Sequence, residues 1–327
     1  MRRFAHAPLC GRGRSAPLGV EASAWRRRTG MLACALIALA ALAAAWSPPT
    51  SAPTDAALRT PPKTVAATRQ AAAAPAAARH VAASALRIAV VDTGVAAVGP
   101  LAGQLVAGAD FVDQNGTTDD HNGHGTAMAS IAGGLCGACA IEPVRVLGDS
   151  GMGTTDLAAK GVSWAAANGA RVINLSLTSR GPDPALTTAI ENAVAGGAVV
   201  VVAAGNSGST DPAAEGYPGA SATDAITVGS VDPSRQLYPW SNHGSWVRLG
   251  APGVLDALST RGTPVTATGT SGSAAYVSGV AALLLGCNPA LTPAQVRALL
   301  TSSATPVPSL GGGLVDPQAA LRAAGCA

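Results

Sequence analysis

The chain has 327 residues, of which 48% are hydrophobic, 12% are charged and 3% are aromatic. This composition excludes an intrinsically disordered chain and supplies enough apolar side chains for one large buried core. The formal net charge of +3 comes from the amino-terminal tail, because the chain from residue 84 onward has 10 basic and 16 acidic side chains. The predicted globular part is therefore acidic, which argues against a nucleic-acid-binding surface.

The amino-terminal tail has three parts. Residues 1–30 are rich in arginine, and the uncharged apolar run 31–46 follows them. A basic cluster before such a run is typical of a secretory signal peptide or a single membrane anchor. We expect the arginines to stay cytoplasmic, so the rest of the chain is exported, periplasmic or extracellular, and residues 31–46 are either cleaved or kept as a membrane tether. Residues 47–83 are rich in alanine and proline, which predicts a linker or a short pro-segment.

Strand and helix patterns alternate in residues 84–327, which predicts a single α/β domain. The expected architecture is a mostly parallel sheet between helices, a Rossmann-like arrangement of three layers. Strands are predicted at 87–92, 141–147, 171–177, 198–206 and 225–231, and helices at 123–133, 154–169, 184–197, 272–286 and 292–300. Sites in such sheets lie at the carboxyl ends of the strands, where Asp92 and Asn206 stand.

Three segments carry an acid, a base and a hydroxyl. Asp92 ends the first predicted strand in "VVDTGV", and His124 lies at the mouth of a predicted helix in "HNGHGTAMASIAG". A serine precedes the small-residue helix in "TGTSGSAAYVSG". These residue types near the ends of separate elements fit nucleophilic acyl transfer.

The chain resembles the subtilisin-like serine peptidases, the subtilase family, from about residue 86 to its end. The resemblance rests on seven motifs in order: "VVDTGV", "GHGTAMASIAG", "VINLSL", "VVVVAAGNSG", "YPGAS…AITVGSV", "APGV" and "GTSGSAAYVSGVAALLL". The order Asp, His, Ser is that of subtilisin. The resemblance implies a subtilisin-like fold and an exported serine endopeptidase that forms an acyl-enzyme and needs no cofactor.

The resemblance also assigns roles to individual residues. It implies that Asp92 orients the imidazole of His124, that His124 is the general base and then the general acid, and that the Asn206 amide donates to the oxyanion. Ser271 is the implied nucleophile because it is the serine of "GTS", whereas Ser273 falls where the family usually has alanine.

A peptide or protein substrate is expected to bind as an extended strand, as the resemblance implies. One wall of the groove is expected from Leu175, Ser176 and Leu177, continuing to Thr178. The pocket for the side chain before the scissile bond is expected from Ala203, Ala204, Gly205 and Gly216. Nearby Glu215 either favours a basic group in that pocket or is merely solvated.

Four cysteines lie in the predicted domain, which favours two disulfides in an exported protein. We favour pairing Cys136 with Cys139 and Cys287 with Cys326. The "CGAC" segment also fits half of a zinc site or a redox pair, but no second Cys/His pair with suitable spacing follows it. Many subtilisin-like enzymes have a longer loop between "SIAG" and "VRVLG" that helps to bind a stabilising calcium. This segment is short here and no oxygen-rich loop replaces it, so we expect that calcium site to be absent and predict no metal site.

Two other functions compete with the peptidase hypothesis. One is a catalytically weak or inactive binding protein with a peptidase fold at the cell envelope. The other is a metal-dependent hydrolase built from Asp119, Asp120, His121 and His124. In the favoured reading His121 is a loop residue at the rim of the groove, and Asp119 and Asp120 face solvent.

Overall fold

Seven parallel strands form the centre of the protein in a computed structural model that describes residues 58–59 and 86–326. The order across the sheet is β3-β4-β2-β5-β6-β7-β8, and every neighbouring pair is parallel. The strands are β2 (Arg87–Asp92), β3 (Ala109–Asp110), β4 (Ala140–Arg145), β5 (Val172–Leu175), β6 (Val199–Ala203), β7 (Ile226–Val231) and β8 (Leu249–Pro252). The predicted parallel sheet is confirmed. The predicted signal or anchor at 31–46 and the rest of the tail, apart from residues 58–59, lie outside the described residues.

Helices cover both faces of this sheet. Two of them, α1 (His124–Cys136) and α4 (Thr270–Cys287), share a buried apolar cluster with strand side chains such as Val90 and Val201. On the opposite face, α2 (Thr155–Ala167) and α3 (Pro184–Ala195) bury the alternate strand side chains, such as Val91 and Val200. Alternate side chains of a strand point to opposite faces, so the two clusters define the three predicted layers.

Helix α4 is the centre of the first cluster. It is 18 residues long and, among the described residues, it is the one helix apolar and long enough to cross a membrane, but 83% of it is buried inside the domain. Its small residues allow close packing, since a Cβ built on Gly279 would lie 2.8 Å from the Leu135 Cβ of α1. The burial identifies α4 as a core helix.

A second, three-stranded antiparallel sheet lies beside α4 and contains β1 (Leu58–Arg59), β9 (Val254–Leu258) and β10 (Pro264–Thr268) in the order β1-β10-β9. These strands were not predicted from the sequence, because β9 and β10 are short and partly exposed and lack a long apolar run. Strand β10 leads through Gly269 into α4.

Two short helices close the chain, α5 (Pro293–Ser302) and α6 (Pro317–Ala323). A disulfide joins Cys287 at the end of α4 to Cys326, just beyond α6. The other disulfide joins Cys136 at the end of α1 to Cys139. These are the two pairs that the sequence favoured.

Three strands end earlier than predicted. The apolar runs predicted strands at 141–147, 171–177 and 198–206, but β4 ends at Arg145, β5 at Leu175 and β6 at Ala203. The residues beyond these ends, among them Ser176 and Asn206, leave the sheet at its carboxyl edge. They are therefore free to contribute to a site there.

Candidate active site

Asp92 and His124 form a close pair at the carboxyl edge of the sheet. Asp92 is the last residue of β2 and is fully buried, and His124 is the first residue of α1. The His124 Nδ1 atom lies 2.7 Å from Asp92 Oδ1 and 3.0 Å from Oδ2. The Thr93 N–H also donates to Asp92 Oδ1 over 2.8 Å. Because Nδ1 donates to the carboxylate, the Nε2 atom of the neutral ring is left to accept a proton.

The surroundings of His124 favour its protonated form. Burial alone would lower the pKa of the imidazole. The charge of the Asp92 carboxylate, its hydrogen bond and the charge of Asp120 act in the opposite direction. Together they raise the pKa of His124 above its ordinary value of 6.5. The pair is therefore built to stabilise an imidazolium once it forms.

The raised pKa predicts the acid limb of the pH–activity profile. A general base must be neutral, so kcat/KM should fall as the pH drops through the pKa of His124. Because that pKa is raised, the midpoint should lie above pH 6.5. The measurement is kcat/KM for a peptide substrate from pH 5 to pH 9 at constant ionic strength. A midpoint below 6.5 would contradict this electrostatic account.

Asp120 is buried, and the prediction that it faces solvent was wrong. It is 5% exposed, and its Oδ1 atom accepts hydrogen bonds from Thr93 Oγ1, Asn122 N and Gly123 N. Its Oδ2 atom accepts from Thr126 N and Thr126 Oγ1. The Asp120 carboxylate thus links Thr93, the residue after Asp92, to residues on both sides of His124. The sequence pattern does not reveal this role, because the partners converge only in the folded loop.

Two glycines allow the end of β2 to approach the start of α1. A Cβ on Gly125 would overlap the Gly94 carbonyl oxygen and lie 3.2 Å from the Asp92 Cβ. A Cβ on Gly94, which has a φ of 106°, would lie 2.8 Å from the Asp119 carbonyl oxygen. Any side chain at Gly125 must therefore push α1, and His124 with it, away from Asp92.

Ser271 lies in the first turn of α4, two residues after the helix cap Gly269. Its Oγ donates to the Ser176 carbonyl over 3.3 Å, and in the described part of the chain no hydrogen bond joins it to His124. Catalytic hydrogen bonds of unliganded enzymes are often long and tighten when substrate binds. The Ser271 N–H has no hydrogen-bond partner within residues 86–326. This donor is therefore available at the positive end of the helix.

Asn206 presents a second available donor beside Ser271. Its Oδ1 atom accepts hydrogen bonds from Thr270 N over 2.9 Å and Thr270 Oγ1 over 3.0 Å. The Thr270 hydroxyl in turn accepts from Gly205 N. With Oδ1 held in this way, the Nδ2 group remains free of partners among the described residues. Thr270 was not among the site residues predicted from the sequence, although its place next to Ser271 in "GTS" could have signalled it.

Ser273 occupies a different environment from Ser271. It is fully buried, its hydroxyl lies 2.8 Å from Ser230 Oγ, and it donates to the Pro252 carbonyl over 2.9 Å. Ser271 by contrast is half-buried at the open edge of the sheet. Of the two serines, Ser271 alone is accessible to a substrate.

The structure brings part of the predicted substrate wall to Ser271. Ser176 follows β5 and lies beside the first turn of α4, where its hydroxyl donates to the Ser271 carbonyl. Leu177 is partly buried and packs against the apolar cluster on the α2 and α3 face of the sheet. Leu175 does not line the wall, because its side chain is fully buried and its backbone is paired with both β2 and β6. Ala203 and Ala204 are also buried in the sheet edge. Leu175 therefore lies behind the surface of the wall, and Ala203 and Ala204, which were predicted for the pocket, lie behind the surface of the pocket.

The predicted pocket residues Gly205 and Gly216 lie next to each other. A Cβ on Gly205 would overlap the Glu215 carbonyl oxygen, so the two segments pack backbone to backbone. Two hydrogen bonds between Ser179 and Tyr217 join the wall to the same segment. The Glu215 side chain is 39% exposed and pairs with Arg180 at 3.4 Å and with the Ser207 hydroxyl at 3.2 Å. Glu215 therefore already has a cationic partner.

The residues proposed for a metal site do not form one. His121 is exposed, and the Asp120 oxygens accept five hydrogen bonds, from Thr93, from Thr126 and from the backbone of Asn122 and Gly123. Within residues 58–59 and 86–326 no group of three His, Cys, Asp or Glu side chains could hold a metal ion. The geometry favours proton transfer and nucleophilic attack at this site.

A family profile, sequence relatives and solved structures that match this chain all belong to the same family of peptidases. The sequence profile of the subtilase family matches residues 83–321. Subtilisin DY of Bacillus licheniformis is 37% identical over 251 residues, covering 72% of this chain and 91% of that protein. Thermitase of Thermoactinomyces vulgaris is 38% identical over 240 residues, covering 70% of this chain and 84% of that protein. The crystal structure of a cold-adapted subtilisin-like serine proteinase superposes with a TM-score of 0.66 at 36% identity, covering 72% of this chain and 89% of that one.

Proposed function

The chain belongs to the subtilase family of serine peptidases, and on this premise we propose that it hydrolyses peptide bonds through Asp92, His124 and Ser271. The observation that carries the proposal is the contact of both Asp92 oxygens with His124 Nδ1, at 2.7 and 3.0 Å. This contact fixes the ring orientation and the tautomer, so that the Nε2 atom can act as a base. Members of this family act on proteins, and the substrate class here is a polypeptide.

In the proposed reaction, His124 Nε2 takes the proton of Ser271 Oγ as that oxygen attacks the carbonyl carbon. The new C–O bond forms while the carbonyl π electrons move to oxygen, and Asp92 stabilises the imidazolium. His124 then gives the proton to the leaving amine as the C–N bond breaks, leaving an acyl-enzyme on Ser271. Water, deprotonated by His124, releases the acid and restores Ser271.

The oxyanion of the tetrahedral intermediate is proposed to bind between two donors. These are the Ser271 N–H and the Asn206 Nδ2 group, each free of other partners in the described structure. Donors held in place before the reaction stabilise the developing charge without reorganisation. The hydrogen bonds from Thr270 support this role by holding the Asn206 amide with its nitrogen outward.

The substrate is proposed to bind as an extended strand along Ser176, Leu177 and Thr178. Leu177 and Thr178 make no main-chain hydrogen bond within residues 86–326, so their backbone groups are available to a peptide. Strand addition of this kind takes its affinity from main-chain hydrogen bonds and its specificity from side-chain pockets. The pocket beside Gly205 and Gly216 is proposed to receive the side chain before the scissile bond.

A fluorophosphonate probe tests the proposed chemistry, because it phosphonylates an activated serine. We expect the purified full chain to be labelled on Ser271, as mapped by peptide mass spectrometry, and to cleave an unstructured protein substrate. His124→Ala should abolish both reactions while leaving the thermal unfolding transition in place. A folded wild-type protein that is neither labelled nor active would overturn the proposal and favour a non-catalytic binding protein.

Export is proposed on the sequence of the amino-terminal tail, with residues 31–46 either removed or kept as a tether. The two disulfides, Cys136–Cys139 and Cys287–Cys326, support an oxidising compartment. Fractionation followed by intact-mass measurement separates the outcomes. A mature chain that begins after residue 46 indicates a cleaved signal peptide, a full-length chain in the membrane fraction indicates a tether, and a cytoplasmic full-length chain would refute export.

The Arg180–Glu215 pair makes a prediction about specificity. Arg180 is 82% exposed and neutralises Glu215 beside the proposed pocket. In Arg180→Ala the carboxylate loses its cation, and we expect the ratio of kcat/KM for lysine over leucine before the scissile bond to rise about three- to ten-fold. Arg180→Lys, which keeps the charge, is the control. An unchanged ratio in Arg180→Ala would show that Glu215 does not sense the substrate side chain.

A further inference from the structure

A hydrogen-bond chain of buried polar groups lies beneath the proposed nucleophile. Asn174 and Ser278 are fully buried, and Ser176 is 5% exposed. The Ser278 hydroxyl lies 3.0 Å from Asn174 Oδ1, Asn174 Nδ2 lies 2.9 Å from Ser176 Oγ, and Ser176 Oγ lies 2.9 Å from the Ser271 carbonyl oxygen. This hydrogen-bond chain therefore runs from Ser278 in α4, through Asn174 and Ser176 at the carboxyl end of β5, and back to Ser271 in α4.

The spacing of these residues explains how they meet. Ser271 and Ser278 are seven residues apart, which is two helical turns, so they share one face of α4. Asn174 lies in β5 and Ser176 is the first residue beyond its end, two positions along, and both side chains point toward α4. The two matched spacings place two polar groups of the helix opposite two of the strand.

The direction of every hydrogen bond in this chain is fixed. The Ser271 carbonyl can only accept, so the Ser176 hydroxyl must donate to it. The Ser176 oxygen must then accept from the Asn174 amide nitrogen, which turns Asn174 Oδ1 toward Ser278. Ser278 must therefore donate, and its single proton also lies within reach of the Ala274 carbonyl at 2.9 Å. Removal of the Ser278 hydroxyl would leave Asn174 Oδ1 without a donor in the described structure.

Ser176 holds the nucleophilic residue at two points. Its hydroxyl donates to the Ser271 carbonyl, and its own carbonyl accepts from Ser271 Oγ. The same residue begins the proposed substrate wall. Small movements of the Ser176 hydroxyl and carbonyl would therefore change the position of Ser271 Oγ.

We propose that Asn174 and Ser278 are positioning residues that act through Ser176 to fix Ser271 relative to His124 and the oxyanion donors. This inference rests on the proposed role of Ser271 as the nucleophile. The buried polar groups lie in a mainly apolar interface of α4 with the sheet, where leaving one of them unpaired is costly. The hydrogen-bond chain ends at Ser271, whose Oγ is the proposed reacting atom. Loss of one of its hydrogen bonds should therefore slow the chemical step.

The test compares two buried serines of the same helix in the full-length protein. Ser278→Ala interrupts the hydrogen-bond chain, whereas Ser273→Ala removes an equally buried hydroxyl that bonds to Ser230 and Pro252 instead. We expect Ser278→Ala to lower kcat and the rate of fluorophosphonate labelling about ten-fold with KM within about two-fold, the effect of a slightly misplaced reacting group. Ser273→Ala should keep the wild-type kcat, and thermal unfolding of both variants shows whether they lose similar stability.

A double-mutant cycle separates positioning from general destabilisation. Once Ser176→Ala has removed the link to Ser271, adding Ser278→Ala should lower kcat by less than two-fold. Ser176→Ala also keeps the test decisive if Ser278→Ala does not fold, because it should by itself lower the labelling rate with KM little changed. Wild-type labelling rates in both Ser176→Ala and Ser278→Ala, or equal kcat losses in Ser278→Ala and Ser273→Ala, would overturn the proposal. Absence of labelling in the wild-type protein would instead refute the proposed nucleophile.

Discussion

Replacing Ser271 with alanine is expected to lower kcat by roughly four to six orders of magnitude, which is the range for loss of a serine nucleophile. Without Oγ there is no group to form the acyl-enzyme, and the remaining rate comes from binding and oxyanion stabilisation alone. The fold should survive, because the one hydrogen bond that Ser271 Oγ makes within the described residues, to the Ser176 carbonyl, is long at 3.3 Å. The measurement is turnover of a peptide substrate, with circular dichroism and thermal unfolding to establish that the variant is folded.

Ser273→Ala is the matched control for this variant, since the two serines are only two residues apart on α4. Its hydroxyl is buried against Ser230 and Pro252, where no substrate reaches. We expect its kcat to stay at the wild-type value. If Ser273→Ala lost activity and Ser271→Ala kept it, the assignment of the nucleophile would be wrong.

Asn206→Asp is expected to lower kcat by roughly two to three orders of magnitude, the size known for the equivalent donor in subtilisin. The aspartate keeps an oxygen to accept from Thr270 N and Thr270 Oγ1, so the local structure is retained. It replaces only the Nδ2 donor, and its charge repels the oxyanion. KM should change little, because the donor acts in the transition state and not on the bound substrate.

Asn206→Leu complements this variant, since it removes the donor without adding a charge. We expect a loss of kcat similar to or smaller than that of Asn206→Asp. Fluorophosphonate labelling of Ser271 should slow in both variants. Full activity in Asn206→Leu would show that the Ser271 N–H alone stabilises the oxyanion.

The central sheet could be predicted from the sequence, and Asp92, His124 and Ser271 could be proposed as site residues, because each is signalled by a short local pattern. Buried parallel strands appear as uninterrupted apolar runs, and Asp92 stands at the end of one such run. The short strands β3, β8, β9 and β10 were missed, because their pairing is decided by distant neighbours and not by their own residues. Strands β4, β5 and β6 were predicted too long for the same reason, because the point at which a strand stops pairing is decided by its neighbours and not by its own apolar run.

The supporting residues of the site were harder to predict than the residues at its surface. Asp120 looked like a solvent-facing loop residue, but its partners Thr93 and Thr126 come from the two sides of the loop. A carboxylate surrounded by five donors cannot be recognised before the loop is closed. Asn174 and Ser278 lie within apolar segments, and only the matched helix and strand spacings hint that they face each other.

The burial of α4 also decides when the protein can become active. Ser271 lies at one end of a helix that packs against β5, β6, β7, β8 and α1, all distant from it in sequence. Its contacts with Ser176 and the alignment of Asn206 exist only after this helix has been enclosed. A nascent or partly folded chain is therefore latent, and in a refolding experiment proteolytic activity should never return before the tertiary signal of the closed core.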